Sequence, residues 1–241
     1  MSWKISYKRA NKSFQRIFLV PKPQLGNALA EKPRLVNEDE EKAMAEPLLK
    51  KEYYSKEEYL EMEALADCKS EFYAGEIFAM AGGSPKHSMI CFNLYRTVGN
   101  AIADKDCIGF ESNMKLELAE ADAYVYPDMM IVCGEVKLAE NTSDVITNPV
   151  LIVEVLSPAT ESFDRGKKFE YYRMLTSLKE YVLVSQEEAM TESFWKQDEN
   201  TWLYTAAKGL DKSLVLKSLD YEIALKDIYH KVQFLSFPAP T

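Results

Sequence analysis

The stretch NPVLIVEVLSPAT, residues 148–160, predicts a strand over residues 150–156 that is buried on both faces. Its continuous apolar run is typical of an inner strand of an α/β sheet, and a Ser-Pro pair ends it. Glu154 lies in the middle of this run, where an ionised carboxylate is costly unless it is paired or bound to a metal. The pattern favours a metal ligand; the alternatives are a solvated strand face or an ion pair with an arginine such as Arg173.

Around this strand, the sequence alternates between helical and strand patterns. A capping box at Ser55 and Glu58 predicts a helix that runs to about Ala66. Apolar residues at four-residue spacing predict a second helix over residues 87–103. The other predicted elements are strands or hairpins at 71–80, 107–110, 114–118, 124–133, 181–185, 191–196 and 201–205, and helices at 161–176 and 225–232. This order predicts an α/β fold with a mixed β-sheet flanked by helices.

Composition limits the classes of protein to which the chain can belong. Its 241 residues carry a net charge of -9, which argues against a broad surface that coats nucleic acid. No apolar run approaches the roughly 18 residues that a membrane span needs, so we expect a soluble, cytoplasmic protein with no membrane contact. The four cysteines lack a C-x-x-C spacing and are expected to be buried free thiols in a reducing compartment, without a zinc cluster.

The N-terminal segment differs from the rest of the chain. Residues 1–34 contain eight Lys and Arg and a single acid, Glu31. We expect residues 1–43 to be a basic, disordered extension, and residues 44–241 to form the folded domain. A transit-like peptide is a second interpretation of the segment. The third is an over-extended reading frame with Met44 as the natural start.

A second candidate carboxylate lies in YVYPDMMIVCG, residues 124–134. Asp128 follows a proline inside an apolar strand pattern, and proline there implies a sheet edge or a bulge that can re-aim a side chain. A Pro-Asp turn is the alternative, although the apolar residues after Asp128 do not resemble a turn. Two carboxylates on neighbouring strands are a minimal site for Mg²⁺ or Mn²⁺. We therefore predict that Asp128 and Glu154 are metal ligands.

The basic segment after the first strand supplies a third candidate. In SPATESFDRGKKFEYYRML, residues 157–175, Asp164, Lys168 and Tyr172 share one helix face at four-residue spacing. Lys168 can reach back to the end of the Glu154 strand and act on an attacking water or on charge at phosphorus. The alternative is a solvated helix with an Asp164–Lys168 pair.

The stretches YPDMMIVCG and NPVLIVEVLSPATESFDRGKKFEYYRMLTSLKEYVLV resemble the Uma-type family of restriction-endonuclease-like proteins, in the PD-(D/E)XK nuclease superfamily. SEFYAGEIFAMAGGSPKHSMICFNLYRTVGNAI is similar to the N-terminal part of the same family, so the resemblance covers about residues 53–232. It implies a restriction-endonuclease-like fold and a metal-dependent phosphodiesterase. Asp128 matches the Asp of the PD motif, and Glu154 matches the acidic residue of the (D/E)XK motif.

The sequence departs from the superfamily pattern at one position, because the superfamily lysine would fall at Leu156. We expect a lysine from elsewhere in the chain to take over its role, and we favour Lys168 over Lys167. The resemblance also implies that Glu71 is an additional acid of the site, and a charged strand end is an equally good interpretation. His87 is expected to be a neutral histidine near a helix start rather than a catalytic base.

The leading functional hypothesis is a Mg²⁺-dependent endonuclease that hydrolyses DNA phosphodiester bonds. A homodimer is possible, because two strands must be cut. The runner-up is a nuclease fold that has lost catalysis and binds nucleic acid or protein, and Leu156 favours it. A third hypothesis is a metal-dependent hydrolase of a small phosphorylated substrate. No DNA-recognition element can be identified, so the sequence predicts no site specificity.

Overall fold

The computed structural model describes residues 53–80 and 82–234. The expected basic extension, residues 1–43, lies outside the described residues, as does the start of the expected folded domain. None of the helices in the described ranges is long and apolar enough to cross a membrane.

The first helix is fixed at its start by the predicted capping box. In α1 (Lys56–Leu65), the Ser55 hydroxyl accepts a hydrogen bond from the Glu58 backbone N–H, and the Glu58 carboxylate accepts one from the Ser55 N–H. A hairpin of β1 (Ser70–Tyr73) and β2 (Glu76–Ala79) follows. Its turn contains Gly75 at a φ of 91°, a left-handed conformation that favours glycine. The predicted helix and hairpin are both confirmed.

The long helix α2 (Pro85–Ile102) covers one face of the core sheet. Ser84 caps it, because its hydroxyl accepts the backbone N–H of His87. The apolar stripe predicted from the sequence is buried and packs into the main core, with Ile90, Leu94, Val98 and Ile102 as its members. This packing fixes the orientation of the first turn of α2, which contains His87.

In the described residues, the β structure consists of two sheets and a separate hairpin. The strands after the first hairpin are β3 (Cys107–Glu111), β4 (Lys115–Leu118), β5 (Ala123–Val125), β6 (Met129–Cys133), β7 (Val145–Ile146), β8 (Leu151–Leu156), β9 (Glu180–Ser185), β10 (Met190–Lys196), β11 (Trp202–Lys208), β12 (Ser213–Leu216) and β13 (Tyr221–Ala224). The six-stranded core sheet has the order β11-β10-β9-β8-β6-β3, and the five-stranded second sheet has the order β2-β1-β5-β4-β7. The expected α/β fold, a mixed sheet flanked by helices, is confirmed.

The strand that contains Glu154 is the inner strand that its sequence predicts. All six residues of β8 are buried. It runs parallel to β9 and antiparallel to β6, so both of its edges are paired. The chain between the parallel strands forms α3 (Glu161–Phe163), a π-helical turn (Asp164–Lys168) and α4 (Phe169–Tyr172) without a break. This crossover brings its basic segment back towards β8.

The prediction of one continuous strand over residues 124–133 is wrong. The structure has two strands, because β5 belongs to the second sheet and β6 to the core sheet. Pro127 lies between them, and proline has no N–H with which to continue a ladder. The chain therefore changes sheets at residues 126–128. This change places Asp128 at the junction of the two sheets, immediately before β6.

Other differences concern short elements. The predicted helix over residues 161–176 ends at Tyr172, and the predicted closing helix is shorter, as α5 (Leu225–Ile228). The hairpin β12–β13 and the two-residue strand β7 have no counterpart among the predictions. These strands are four residues or fewer, too short for an alternating pattern to be recognised.

The expectation of four buried free thiols is wrong for three of them. Cys107 and Cys133 form a disulfide across β3 and β6, where they are directly paired. Cys68 is a free thiol but is exposed, and Cys91 is free and buried as expected. The 26-residue separation of the bonded pair carries no recognisable spacing, because only the register of the antiparallel strands brings the two sulfurs together.

Candidate active site

Glu154 is paired with a cation from the crossover. The ammonium Nζ of Lys168 lies 2.9 Å from Glu154 Oε1, and the Tyr172 hydroxyl donates a hydrogen bond of 2.7 Å to the same oxygen. All three side chains are buried. Arg173, the alternative partner, instead lies over the ring of Phe169. The buried charge on β8 is thus balanced by a lysine from the crossover helix.

Lys168 is shared by further carboxylates. Its Nζ lies 3.5 Å from Glu71 Oε1 and 3.6 Å from Asp164 Oδ1. Lys167, by contrast, is exposed and pairs with Glu170 at the protein surface. The structure therefore brings Lys168, rather than its neighbour, to the carboxylates.

Asp128 is held beside Glu154 by backbone and side-chain contacts. Its Oδ2 accepts a hydrogen bond from the Val155 N–H at 2.8 Å and contacts His87 Nε2 at 3.2 Å. The backbone N–H of Asp128 donates to Glu154 Oε2 at 3.3 Å. Within residues 53–80 and 82–234, no donor forms a hydrogen bond with the other oxygen, Asp128 Oδ1. The two predicted metal ligands are therefore adjacent and fixed in orientation.

Glu71 also belongs to this cluster. From β1, its Oε1 accepts the Tyr126 N–H at 3.2 Å, and its Oε2 accepts the Tyr73 hydroxyl at 3.0 Å. Its side chain is only 14% exposed, and it approaches Lys168. Of the two interpretations of Glu71, this position favours an acid of the site over a charged strand end.

Burial controls the charge state of the cluster. It raises the pKa of Glu154 above its usual range, against the opposing effect of Lys168. Burial also raises the pKa of Asp164. Desolvation lowers the pKa of Lys168, but the carboxylates of Glu154 and Glu71 outweigh it and raise that pKa well above its usual range. A single lysine thus faces an excess of acidic groups.

The donor atoms fit a hard divalent cation. Magnesium prefers carboxylate oxygens and commonly keeps waters in its remaining positions. Asp128 Oδ1 carries no hydrogen bond from the described residues, and Glu154 Oε2 faces Asp128 rather than Lys168. A divalent cation would also neutralise the acidic excess. Asp128 and Glu154 would hold it, with Glu71 nearby.

The sequence analysis missed a second arrangement around Asp128. The His87 ring contacts Asp128, and this hydrogen bond raises the pKa of His87 to about 10, which favours the charged ring over the neutral histidine expected from the sequence. The Cys91 sulfur lies 3.6 Å from His87 Nδ1. The recognisable signal was the four-residue spacing of His87 and Cys91 on one helix. The two donors to Glu71, the Tyr73 hydroxyl and the Tyr126 backbone N–H, were also missed, and neither residue has a distinguishing sequence pattern.

Tyr172→Phe is expected to lower the free energy of unfolding by about 1.5–3 kcal/mol, the range for a hydrogen bond to a charged group. The change removes the donor to Glu154 and leaves the buried ring in place. Urea denaturation measures the effect. Tyr171→Phe is the matched control, and it should change stability by less than about 0.5 kcal/mol, as for substitutions away from structural features. Equal effects of the two changes would contradict the proposed importance of the Tyr172 hydroxyl.

Comparison with known proteins places this arrangement in a family. The Uma2 family, described as "Putative restriction endonuclease", matches residues 56–226. Two relatives come from Synechocystis sp. (strain ATCC 27184 / PCC 6803 / Kazusa). "Uncharacterized protein sll1609" is 41% identical over 152 residues, covering 63% of this chain and 86% of the relative. "Uncharacterized protein slr1290" is 36% identical over 180 residues, covering 75% of this chain and 93% of the relative.

A solved structure shares the fold. It is a crystal structure of a protein from Anabaena variabilis ATCC 29413, described as "a putative nuclease belonging to DUF820". The TM-score is 0.60 at 16% identity, and the match covers 73% of this chain and 97% of that chain. Because the family match spans the helix α1, both sheets and the residues clustered around Lys168, the resemblance found in the sequence is confirmed, and the chain belongs to the Uma2 family.

Proposed function

We propose that the protein is an endonuclease that hydrolyses DNA phosphodiester bonds with Mg²⁺ or Mn²⁺. The observation that carries the proposal is the ammonium of Lys168 at 2.9 Å from Glu154, with Asp128 fixed alongside. This set is what a PD-(D/E)XK site requires when its lysine comes from the following helix instead of position 156. The descriptions of the family and of the Anabaena protein support a nuclease.

Several residues of the cluster have distinct roles in this proposal. Asp128 and Glu154 would hold the metal ion, which would polarise the phosphoryl oxygen and lower the pKa of a bound water. Lys168 orients the water and stabilises negative charge that develops at phosphorus. Val155 and His87 hold Asp128 Oδ2, so that Oδ1 points to the ligand. Tyr172 holds Glu154 in the same way.

The runner-up is a fold without catalysis that binds nucleic acid or protein, and Leu156 is the residue that favours it. The position of Lys168 supports the proposed catalysis instead, since its amine lies within hydrogen-bond distance of Glu154. The homodimer stays a prediction, based only on the need to cut two strands. A cytoplasmic location also stays a prediction, and the Cys107–Cys133 disulfide argues against it because such bonds are rare in a reducing compartment.

The proposal is tested by DNA cleavage with purified protein. Wild type should cut duplex or single-stranded DNA in Mg²⁺ or Mn²⁺ and should stop when EDTA removes the metal. Glu154→Gln should reduce the rate by at least about 100-fold, because an amide is a weak ligand for a hard cation. Glu117→Gln is the matched control, since Glu117 is also ion-paired with a lysine, Lys56, but lies outside the cluster.

Three results would contradict the proposal. Cleavage at the wild-type rate by Glu154→Gln would exclude the site. Tight Mg²⁺ binding without cleavage of any DNA would favour a hydrolase of a small phosphorylated substrate. A protein that neither binds Mg²⁺ nor cleaves DNA would favour the runner-up, a fold without catalysis that binds nucleic acid or protein.

A further inference from the structure

A second group of metal-ligand side chains adjoins the carboxylate cluster. His87, Cys91 and Asp128 each offer a ligand atom, and these atoms all lie within 4.8 Å of one another. Among the described residues, this is the one group of three or more His, Cys, Asp or Glu side chains that meets this distance. It contains a nitrogen, a sulfur and an oxygen donor, whereas the neighbouring carboxylate cluster offers only oxygen.

We propose that His87, Cys91 and Asp128 form a binding site for a borderline-soft divalent cation of the Zn²⁺ class. Thiolate and imidazole donors select such ions over Mg²⁺, which prefers oxygen. His87 and Cys91 are one helical turn apart on α2, so both project from the same face. Asp128 approaches that face from the junction between the two sheets. Three protein ligands with an open fourth position are the usual composition of a reactive zinc site.

The distances fit a small ion. Bond lengths of about 2.0–2.3 Å at tetrahedral angles place two zinc ligands roughly 3.3–3.8 Å apart. Cys91 Sγ and His87 Nδ1 are already 3.6 Å apart. Asp128 Oδ2 lies 3.2 Å from the other ring nitrogen, His87 Nε2, so a cation shared by all three side chains requires the His87 ring and the Asp128 carboxylate to turn towards one centre. The three ligand atoms already lie within 4.8 Å of one another.

The surroundings allow an ion to enter. Cys91 is buried at 7% exposure, but the side chains of His87 and Asp128 are 18% and 17% exposed, so the group opens on that side. The other free thiol, Cys68, is exposed and belongs to no such group in the described part of the chain. Cys107 and Cys133 are bonded to each other and offer no thiolate.

Occupation of this site would affect the proposed magnesium site, because both use Asp128. Two cations on one carboxylate repel each other, so Zn²⁺ should weaken Mg²⁺ binding. This consequence rests on the proposed function. The binding of Zn²⁺ itself does not.

Co²⁺ substitution and calorimetry test the proposal without any cleavage assay. Co²⁺ added to the full chain should produce a thiolate-to-metal charge-transfer band, and Zn²⁺ should bind at one equivalent and bleach that band. Cys91→Ser should remove the band and weaken Zn²⁺ binding by about 100-fold or more, since even outer contacts of a metal site contribute 10–100-fold. His87→Gln should weaken binding to a similar extent. Thermal unfolding of each variant shows whether it is folded.

Two matched controls separate this site from the rest of the protein. Cys68→Ser makes the same change at the exposed thiol and should leave the band and the affinity unchanged. Glu154→Gln disables the proposed magnesium site and should also keep the band, so failure of the nuclease proposal is distinguishable from failure of this one. A band that persists in Cys91→Ser, or that disappears in Cys68→Ser, would overturn the proposal. So would wild-type protein that binds neither metal, since the three residues would then form only a hydrogen-bonded chain.

Discussion

Lys168→Met is expected to abolish DNA cleavage and to lower the free energy of unfolding by about 3–5 kcal/mol, the usual cost of breaking a buried ion pair. Methionine has a similar length and no charge, so the variant leaves the carboxylates of Glu154, Glu71 and Asp164 without their shared cation. Because Glu154 and Asp164 are buried and the Glu71 side chain is only 14% exposed, solvent replaces the ammonium poorly. The unpaired carboxylates therefore destabilise the folded state, which lowers the free energy of unfolding.

Denaturant unfolding and cleavage rate measure the two effects. Lys167→Met is the control, since Lys167 is exposed and its ion pair is with Glu170 at the protein surface. It should leave cleavage unchanged. Wild-type stability in Lys168→Met would show that the ion pairs contribute nothing to folding, and wild-type cleavage would exclude Lys168 from catalysis.

A double variant covers the case in which Lys168→Met does not fold. Adding Glu154→Gln removes the carboxylate closest to the missing ammonium, at 2.9 Å in the wild type. The double variant should be more stable than Lys168→Met alone, because the effects of the two changes on stability are coupled and not additive. Cleavage should stay absent, since the double variant lacks both the ammonium and a metal ligand. Recovery of stability without recovery of activity separates the structural effect from the catalytic one.

The local parts of the site could be predicted from the sequence. A charged residue inside an apolar strand identified Glu154, and four-residue spacing placed Asp164, Lys168 and Tyr172 on one helix face. Both signals depend on neighbours within a few residues. The choice of Lys168 over Lys167 follows from the same periodicity, because adjacent helical residues point in directions about 100° apart.

The long-range parts could not be predicted, because they depend on which strands become neighbours. Asp128 was found as a residue, but its place at the junction of two sheets follows from a change of sheet at Pro127. The contact between His87 and Asp128 joins residues 41 positions apart. The Cys107–Cys133 bond requires the register of β3 against β6, which no spacing rule contains. In each case local patterns identify the element but not its partner.

Asp128→Asn is expected to reduce cleavage by about 1,000-fold or more, since metal activation supplies several kcal/mol of transition-state stabilisation. The contacts of Asp128 determine how the amide is oriented. Val155 N–H and His87 Nε2 both contact Oδ2, so the amide oxygen occupies that position. The amide NH₂ then takes the place of Oδ1 and presents hydrogens where the proposed ligand oxygen was. The variant thus replaces a metal ligand with a donor and keeps the surrounding hydrogen bonds.

Thermal or denaturant unfolding with and without Mg²⁺ gives a second readout for this variant. A ligand at 100 times its dissociation constant stabilises the folded state by about 2.7 kcal/mol, and wild type should show a gain of this size. Asp128→Asn should show almost none, while its stability without metal stays close to that of the wild type. Asp144→Asn is the control, because Asp144 pairs with Lys115 outside the cluster and should keep the full Mg²⁺ effect. If Asp128→Asn is stabilised by Mg²⁺ as much as the wild type is, Asp128 does not hold the metal and the assignment of the site is wrong.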